Sequence, residues 1–191
     1  MYQIHQTRGF ILSSYESGEV DNFYYIYTED FGLLGILATG VRMQKSKFRY
    51  SLQPHSYVEI GFVKGKAVLR LTHAQLLGRA SGVEKNTLIV RLFERLRRMV
   101  RGEERNDELY ELVSSVFEYI ASEDELTQQD KYCLELMYTM RLLAALGYWA
   151  ERVEDIPFLK APISVELCGE LYEKRASYLG RVQGAIAETQ L

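Results

Sequence analysis

The hydrophobic pattern changes period once along this chain, near residue 83. Before that point apolar residues tend to alternate; after it they recur three and four residues apart. Strands and helices bury different sets of positions, so the chain is expected to fold as a β part followed by an α part.

Five short segments carry the β pattern: "HQTRGFILSSY", "NFYYIYTE", "LLGILATGV", "SYVEIGFVK" and "AVLRLTHAQ". They are rich in β-branched and aromatic residues and are separated by "ESGEVD", "EDFG", "GVRMQKSKFRY" and "KGK". Phe10, Leu12 and Ser14 alternate with Ile11 and Ser13, and Tyr24, Ile26 and Thr28 with Phe23, Tyr25 and Tyr27. Several of these faces are apolar on both sides, which suits a closed barrel better than a sheet with one wet face. Five strands in this length match an OB-fold, although strand count alone also admits an SH3-like barrel.

The helical half contains four stripes. Leu88, Ile89, Leu92, Phe93, Leu96, Met99 and Val100 form the first, ended by Gly102. Leu109, Leu112, Val113, Val116, Phe117 and Ile120 form the second, with Asn106 as N-cap and Asp107 and Glu108 at the positive end of the helix dipole. The third starts at Thr127, whose hydroxyl is positioned to accept from the Asp130 N–H, and stops at Gly147. After the irregular "EDIPFLKAP", a fourth begins near Ser164 and runs through Cys168, Leu171, Tyr172, Leu179, Val182 and Ile186. The fold class is therefore α+β: a five-stranded OB-fold barrel over residues 1–79 and an all-α bundle over 83–191, joined within "LLGRASGVEKN", residues 76–86.

A chain of 191 residues, 47% apolar, can bury a real core. No apolar run is long enough to span a bilayer, and "MYQIHQTRGF" lacks the features of a signal peptide, so a soluble cytoplasmic protein without a membrane partner is expected. Cys133 and Cys168 are far apart and have no CxxC partner, so they read as buried apolar residues rather than metal ligands. The net charge of −3 is unevenly spread: residues 1–79 hold nine Lys and Arg against six Asp and Glu, the remainder 14 against 20. The first half is thus the one suited to a polyanion.

Enzyme signatures are missing. His5, His55 and His73 fall in or beside different strand segments with no nucleophile or carboxylate at triad spacing. Neither GxxxxGK[ST] nor GxGxxG occurs. Glu29/Asp30 and Glu103/Glu104 read as polar turns rather than metal ligands. No catalytic residue, metal or cofactor is assigned, and a binding protein is expected.

The binding candidate is "GVRMQKSKFRY", residues 40–50, with four cations and no acid. Arg42, Lys45, Lys47 and Arg49 are interleaved with Phe48 and Tyr50, so charges for phosphates occur beside flat rings for bases. An extended strand would set residues 45, 47 and 49 on one side and Phe48 on the other; a helical turn would spread them differently, and the sequence leaves both open. Tyr24, Tyr25 and Tyr27 crowd one strand, as core and cross-strand packing or as a stacking platform. Arg91, Arg95 and Arg98 form a second basic stripe, opposite the apolar face of the first helix. It reads either as a solvated face or as an extension of the phosphate track.

These residues resemble a known family. Residues 7–60 are similar to the N-terminal domain of RecO, the bacterial recombination mediator of the RecF pathway, through "GEVDN", "TEDFG", "GVRMQKSKFR" and "LQP" in that order. "LFERLRRMVRGEERNDELYELV" and "LELMYTMRLLAALGYWA" look more weakly like its helical domain. The resemblance implies an OB-fold followed by helices and a nucleoid-associated DNA repair and recombination mediator. Such a protein binds single- and double-stranded DNA and anneals complementary strands. It also implies two partners, RecR and the acidic C-terminal tail of single-strand-binding protein, through which recombinase is loaded on coated DNA. The alternative is an adaptor whose basic surface binds acidic peptide tails without touching DNA. Many family members carry a four-cysteine zinc module after the "LLAALGY"-like segment; here "WAERVEDIPFLKAP" contains no cysteine, so no metal is carried over.

Overall fold

The computed structural model describes residues 3–189. The chain forms two compact units: one extends to Ala80 and includes Val100–Tyr110, the other comprises Ser81–Met99 and the chain from Glu111.

In the first unit, β1 (Ile4–Ser17), β2 (Asp21–Thr28), β3 (Gly32–Ala38), β4 (Tyr57–Lys64) and β5 (Leu69–Gly78) close into a barrel in the order β1-β2-β3-β5-β4. The β3–β5 pair is parallel and short, Ile36 opposite Leu69 and Leu37 opposite Arg70; the other pairs are antiparallel. This is the OB-fold connectivity, which resolves the choice that strand count left open. The long β1 pairs with β4 through residues 4–10 and with β2 through residues 9–17. Gly9 sits where the two partners overlap, and a Cβ there would lie 2.6 Å from the Tyr27 carbonyl oxygen.

The barrel core gathers Ile11, Tyr24, Ile26, Leu34, Ile36, Val58, Ile60, Phe62 and Leu71. A bulge between Ile11 and Ser13 breaks the alternation of β1, and Phe10, Ile11 and Leu12 are all buried. The second apolar face has a cause other than barrel closure. Phe10 stacks on Tyr57 at 4.7 Å and meets Tyr110 at 5.8 Å, while Tyr27 lies 6.4 Å from Tyr110 and its hydroxyl reaches the Asn106 carbonyl at 3.5 Å. Residues 100–110, which the sequence reading puts in the helical half, cover this outer face. Burial and the nearby Asp107 charge push the Tyr27 phenol up to about 12.

Gly32 fixes where that segment docks. Its φ is +63°, the Leu33 N–H donates to the Gly102 carbonyl at 3.3 Å, and a Cβ on Gly32 would lie 2.2 Å from the Glu104 carbonyl oxygen. Gly32→Ala is expected to cost at least about 2 kcal/mol, from left-handed strain and the backbone clash together. Thermal unfolding of the whole chain measures it, and an unchanged Tm would show that the segment does not hold this position.

The second unit is organised by α3 (Gln128–Ala145), which is buried nearly all round through Cys133, Leu134, Leu136, Met137, Met140, Leu142 and Leu143. Around it lie α1 (Val83–Met99), α4 (Ile156–Lys160), α5 (Val165–Glu173) and α6 (Arg175–Glu188). Helix α2 (Asp107–Ser122) brings Phe117 to within 6.5 Å of Phe93 on α1. The expected caps are present: Asn106 Oδ1 accepts from Leu109 N at 3.0 Å, Thr127 and Asp130 form a reciprocal capping box, and Ser164 accepts from Leu167 N at 3.2 Å. Both cysteines are buried and free, and burial pushes Cys133 up to about 11 and Cys168 up to about 12.

Two features differ from expectation. The fourth helix is broken at Lys174, which ends α5 and begins α6 without a glycine or proline. Arg175 secures the break, its guanidinium donating to the Tyr172 carbonyl at 2.7 Å and lying 4.0 Å from the Tyr172 ring centroid. The "irregular" stretch before it is ordered around a buried acid at the end of a 3-10 turn, Val153–Asp155. Asp155, with no exposed surface, accepts from Arg181 at 2.6 and 2.7 Å, from the Trp149 indole at 3.1 Å and from the Arg152 N–H at 2.9 Å. Arg181 also lies 4.4 Å from the Trp149 ring centroid.

Candidate nucleic-acid interface

The connection from β3 to β4 contains the basic stretch, and it is a series of turns rather than an extended strand. Met43 N bonds to Gly40 O, Ser46 N to Met43 O, and both Ser51 N and Leu52 N to Phe48 O. The two rings therefore part company. Phe48 is half-buried against the barrel core beside buried Val41 and Leu52, whereas Tyr50 is 79% exposed. Lys45, Lys47 and Arg49 are exposed, and none has an acidic partner among the described residues.

The β1–β2 turn holds the start of this stretch. Asp21 Oδ1 accepts from Gly40 N at 2.8 Å, and Arg42 N donates to Val20 O at 3.0 Å. The Arg42 guanidinium pairs with Glu16 at 2.8 Å. Sequence reasoning missed Glu16 and Asp21 as supports; "GEVDN" marked the turn but not what it would hold.

The other predicted cations are on α1 in the helical unit. Arg91 pairs with Glu135 at 2.5 Å, and half-buried Arg95 donates to Thr139 Oγ1 and, at 3.4 Å, to the Glu135 carbonyl. Two of the three arginines are thus engaged by α3, and Arg98 is exposed. Of the three crowded tyrosines, Tyr24 lies in the core and Tyr27 under residues 100–110. Tyr25 joins Tyr15 and Phe23 in a half-exposed ring cluster outside the barrel, with centroids 5.2–6.2 Å apart.

The histidines serve separate places. His5 stacks on Phe62 at 5.4 Å, His55 holds a turn at φ 58°, and His73 is exposed on β5. Asp30 accepts from Thr7 at 2.8 Å and faces Arg105 at 3.8 Å. Among the described residues no helix is long and apolar enough to cross a membrane.

Comparison with known proteins places the family likeness on the barrel and extends it along the chain. Residues 1–80 match the family model "Recombination protein O N terminal". Proteins named DNA repair protein RecO match as well. The one from Rubrobacter xylanophilus is 34% identical over 82 residues, 43% of this chain and 33% of that protein. Those from Thermodesulfovibrio yellowstonii and Gloeothece citriformis are 27% and 26% identical, over 75% and 93% of this chain and 58% and 63% of theirs. The resemblance to RecO thus holds over much of the chain, which spans between a third and about two thirds of these relatives' length. Among solved structures, an asparaginyl-tRNA synthetase from Entamoeba histolytica aligns over 76% of this chain and 32% of its own at 10% identity, with a TM-score of 0.34.

Proposed function

We propose that this protein is a DNA repair and recombination mediator that binds single- and double-stranded DNA and anneals complementary strands. The observation that carries the reading is the turn series between β3 and β4. It exposes Lys45, Lys47 and Arg49 without acidic partners among the described residues, next to a ring at Tyr50 that is 79% exposed. Unpaired cations contact phosphates by releasing counterions, and an exposed ring offers a face to an unstacked base. Phe48 acts indirectly, fixing the turns to the barrel. Arg42 shares its charge between Glu16 and DNA. In the helical unit, taken by itself, Arg98 is an exposed cation on α1. The likeness to RecO proteins supports RecR and the acidic tail of single-strand-binding protein as partners, and a place at the nucleoid in the cytoplasm.

Annealing of two complementary oligonucleotides, bare or coated with single-strand-binding protein, tests the reading. The protein is expected to accelerate both. Binding of an acidic peptide with no binding of either oligonucleotide at low salt would instead establish the adaptor role. A related outcome concerns Glu16. Glu16→Gln frees Arg42 and is expected to tighten single-stranded DNA binding about 2- to 5-fold, the scale of an exposed ion pair. Fluorescence anisotropy checks this, and unchanged or weaker binding would remove Arg42 from the interface.

A further inference from the structure

The β1–β2 hairpin has two sides. On one, Glu16 pairs with Arg42, so the basic turns pack there. On the other, Tyr15 is opposite Phe23, Phe23 is opposite Leu37 on β3, and Leu37 is opposite Arg70 on β5. Strand register thus sets these four residues in one row across the outer wall of the barrel.

The row is aromatic at one end and cationic at the other. Tyr15 stacks on Phe23 at 5.2 Å, has Tyr25 tilted against it at 6.2 Å, and is still 51% exposed. The Phe23 ring reaches over Gly35, where a Cβ would come within 2.8 Å of its Cζ, so glycine lets the ring settle onto β3. Arg70 is exposed and has no acidic partner among the described residues; Lys66, in the turn before it, is exposed as well. Three strand spacings, roughly 14 Å along the sheet, separate Tyr15 from Arg70.

A ring half in water adds little to the core, and the solvent face of a strand ordinarily carries polar residues. The row therefore has the composition of a contact surface. A base stacks on an exposed ring and a phosphate answers a cation, so a single strand meets both ends at once. An apolar protein segment would leave Arg70 and Lys66 unanswered, and an acidic peptide would leave the rings so. A duplex keeps the faces of its bases stacked on one another.

We infer that this outer wall is a second, weaker site for single-stranded DNA, with one base stacked on Tyr15 and a phosphate a few nucleotides along on Arg70. It is weaker because it offers two cations where the basic turns and Arg42 offer four. The inference rests on the reading of the protein as a DNA-annealing one and goes beyond it: one chain holds two strands, one on each side of the β1–β2 hairpin. Bringing two strands onto one barrel is the step that annealing requires.

The test uses two oligothymidines of about eight nucleotides, within the usual site size of one such barrel. One carries a fluorescence donor and the other an acceptor, and they cannot pair with each other. With the whole chain at low salt and oligonucleotide in excess, energy transfer is expected, and light scattering should give two strands per chain. Tyr15→Ala with Arg70→Ala is expected to weaken capture of the second strand about 10-fold or more, leaving affinity for the first unchanged. Tyr15→Phe, which keeps the ring, should capture both. Arg70→Ala alone, outside the ring cluster, should lower the salt slope of second-strand capture by about 0.7. One strand per chain in the wild type would overturn the second site and assign the rings to a protein partner. Undiminished energy transfer in the double variant, or equal loss of both strands, would also overturn it, and each of these outcomes leaves DNA binding by the basic turns intact. No binding of either oligonucleotide overturns both.

Discussion

Replacing Lys45, Lys47 and Arg49 together with alanine is expected to weaken single-stranded DNA binding by about 100-fold at 0.1 M salt. Four phosphate contacts from Arg42, Lys45, Lys47 and Arg49 give a slope of log K against log salt near −3, at roughly −0.7 per phosphate. Removing three leaves a slope near −0.7, and the difference of about two decades per tenfold salt change sets the expected loss. These side chains are exposed and bear no core contacts, so the fold should be unaffected. Tyr50→Ala is the companion variant: losing one stacking face should weaken binding by about 1–3 kcal/mol while the slope stays put. Anisotropy titrations across salt measure both. A triple variant with wild-type slope would move the DNA-binding face elsewhere.

The second large effect lies in the helical unit. Asp155→Ala is expected to destabilise it by about 3–5 kcal/mol, because the change strands Arg181, itself mostly buried, without its carboxylate. Asp155→Leu with Arg181→Met should recover much of that loss, since a pair of apolar side chains has no desolvated charge to balance. Burial alone pushes the Asp155 carboxyl up, but bonds from Arg181, the Arg152 N–H and Trp149 outweigh it and bring the group down to about 2. A carboxyl depressed on folding stabilises the native state above its ordinary value near 4, and that contribution is lost as pH falls toward 2. Urea unfolding of the wild type between pH 5 and 2 should therefore show a steeper loss than the Leu/Met double variant. Parallel curves would mean the Asp155–Arg181 pair contributes nothing.

What could be read from the residues divides by range. The barrel strands, the Asn106, Thr127 and Ser164 caps and the stop at Gly147 follow from alternation, short side-chain bonds and backbone freedom, all local, whereas the first helix ends at Met99, short of the expected Gly102. Nothing local separates Phe48 from Tyr50. Their fates depend on consecutive turns that bring Phe48 onto a core built from distant strands. Arg91 and Arg95 look alike on a helical wheel, yet both are engaged by a helix some 40 residues further along. The break at Lys174 carries no breaker residue, and the Asp155 cluster joins four residues spread from 149 to 181.

The docking of residues 100–110 on the barrel has a consequence for how the chain can be divided. The polypeptide leaves the barrel unit, forms α1, returns to cover Phe10 and Tyr27, and leaves again along α2. Neither unit is one continuous stretch, so scissors at residue 80 yield no intact module. The excised barrel would present Phe10, Tyr27 and Tyr57 as a bare aromatic surface, and solubility rather than DNA affinity would be the first property lost.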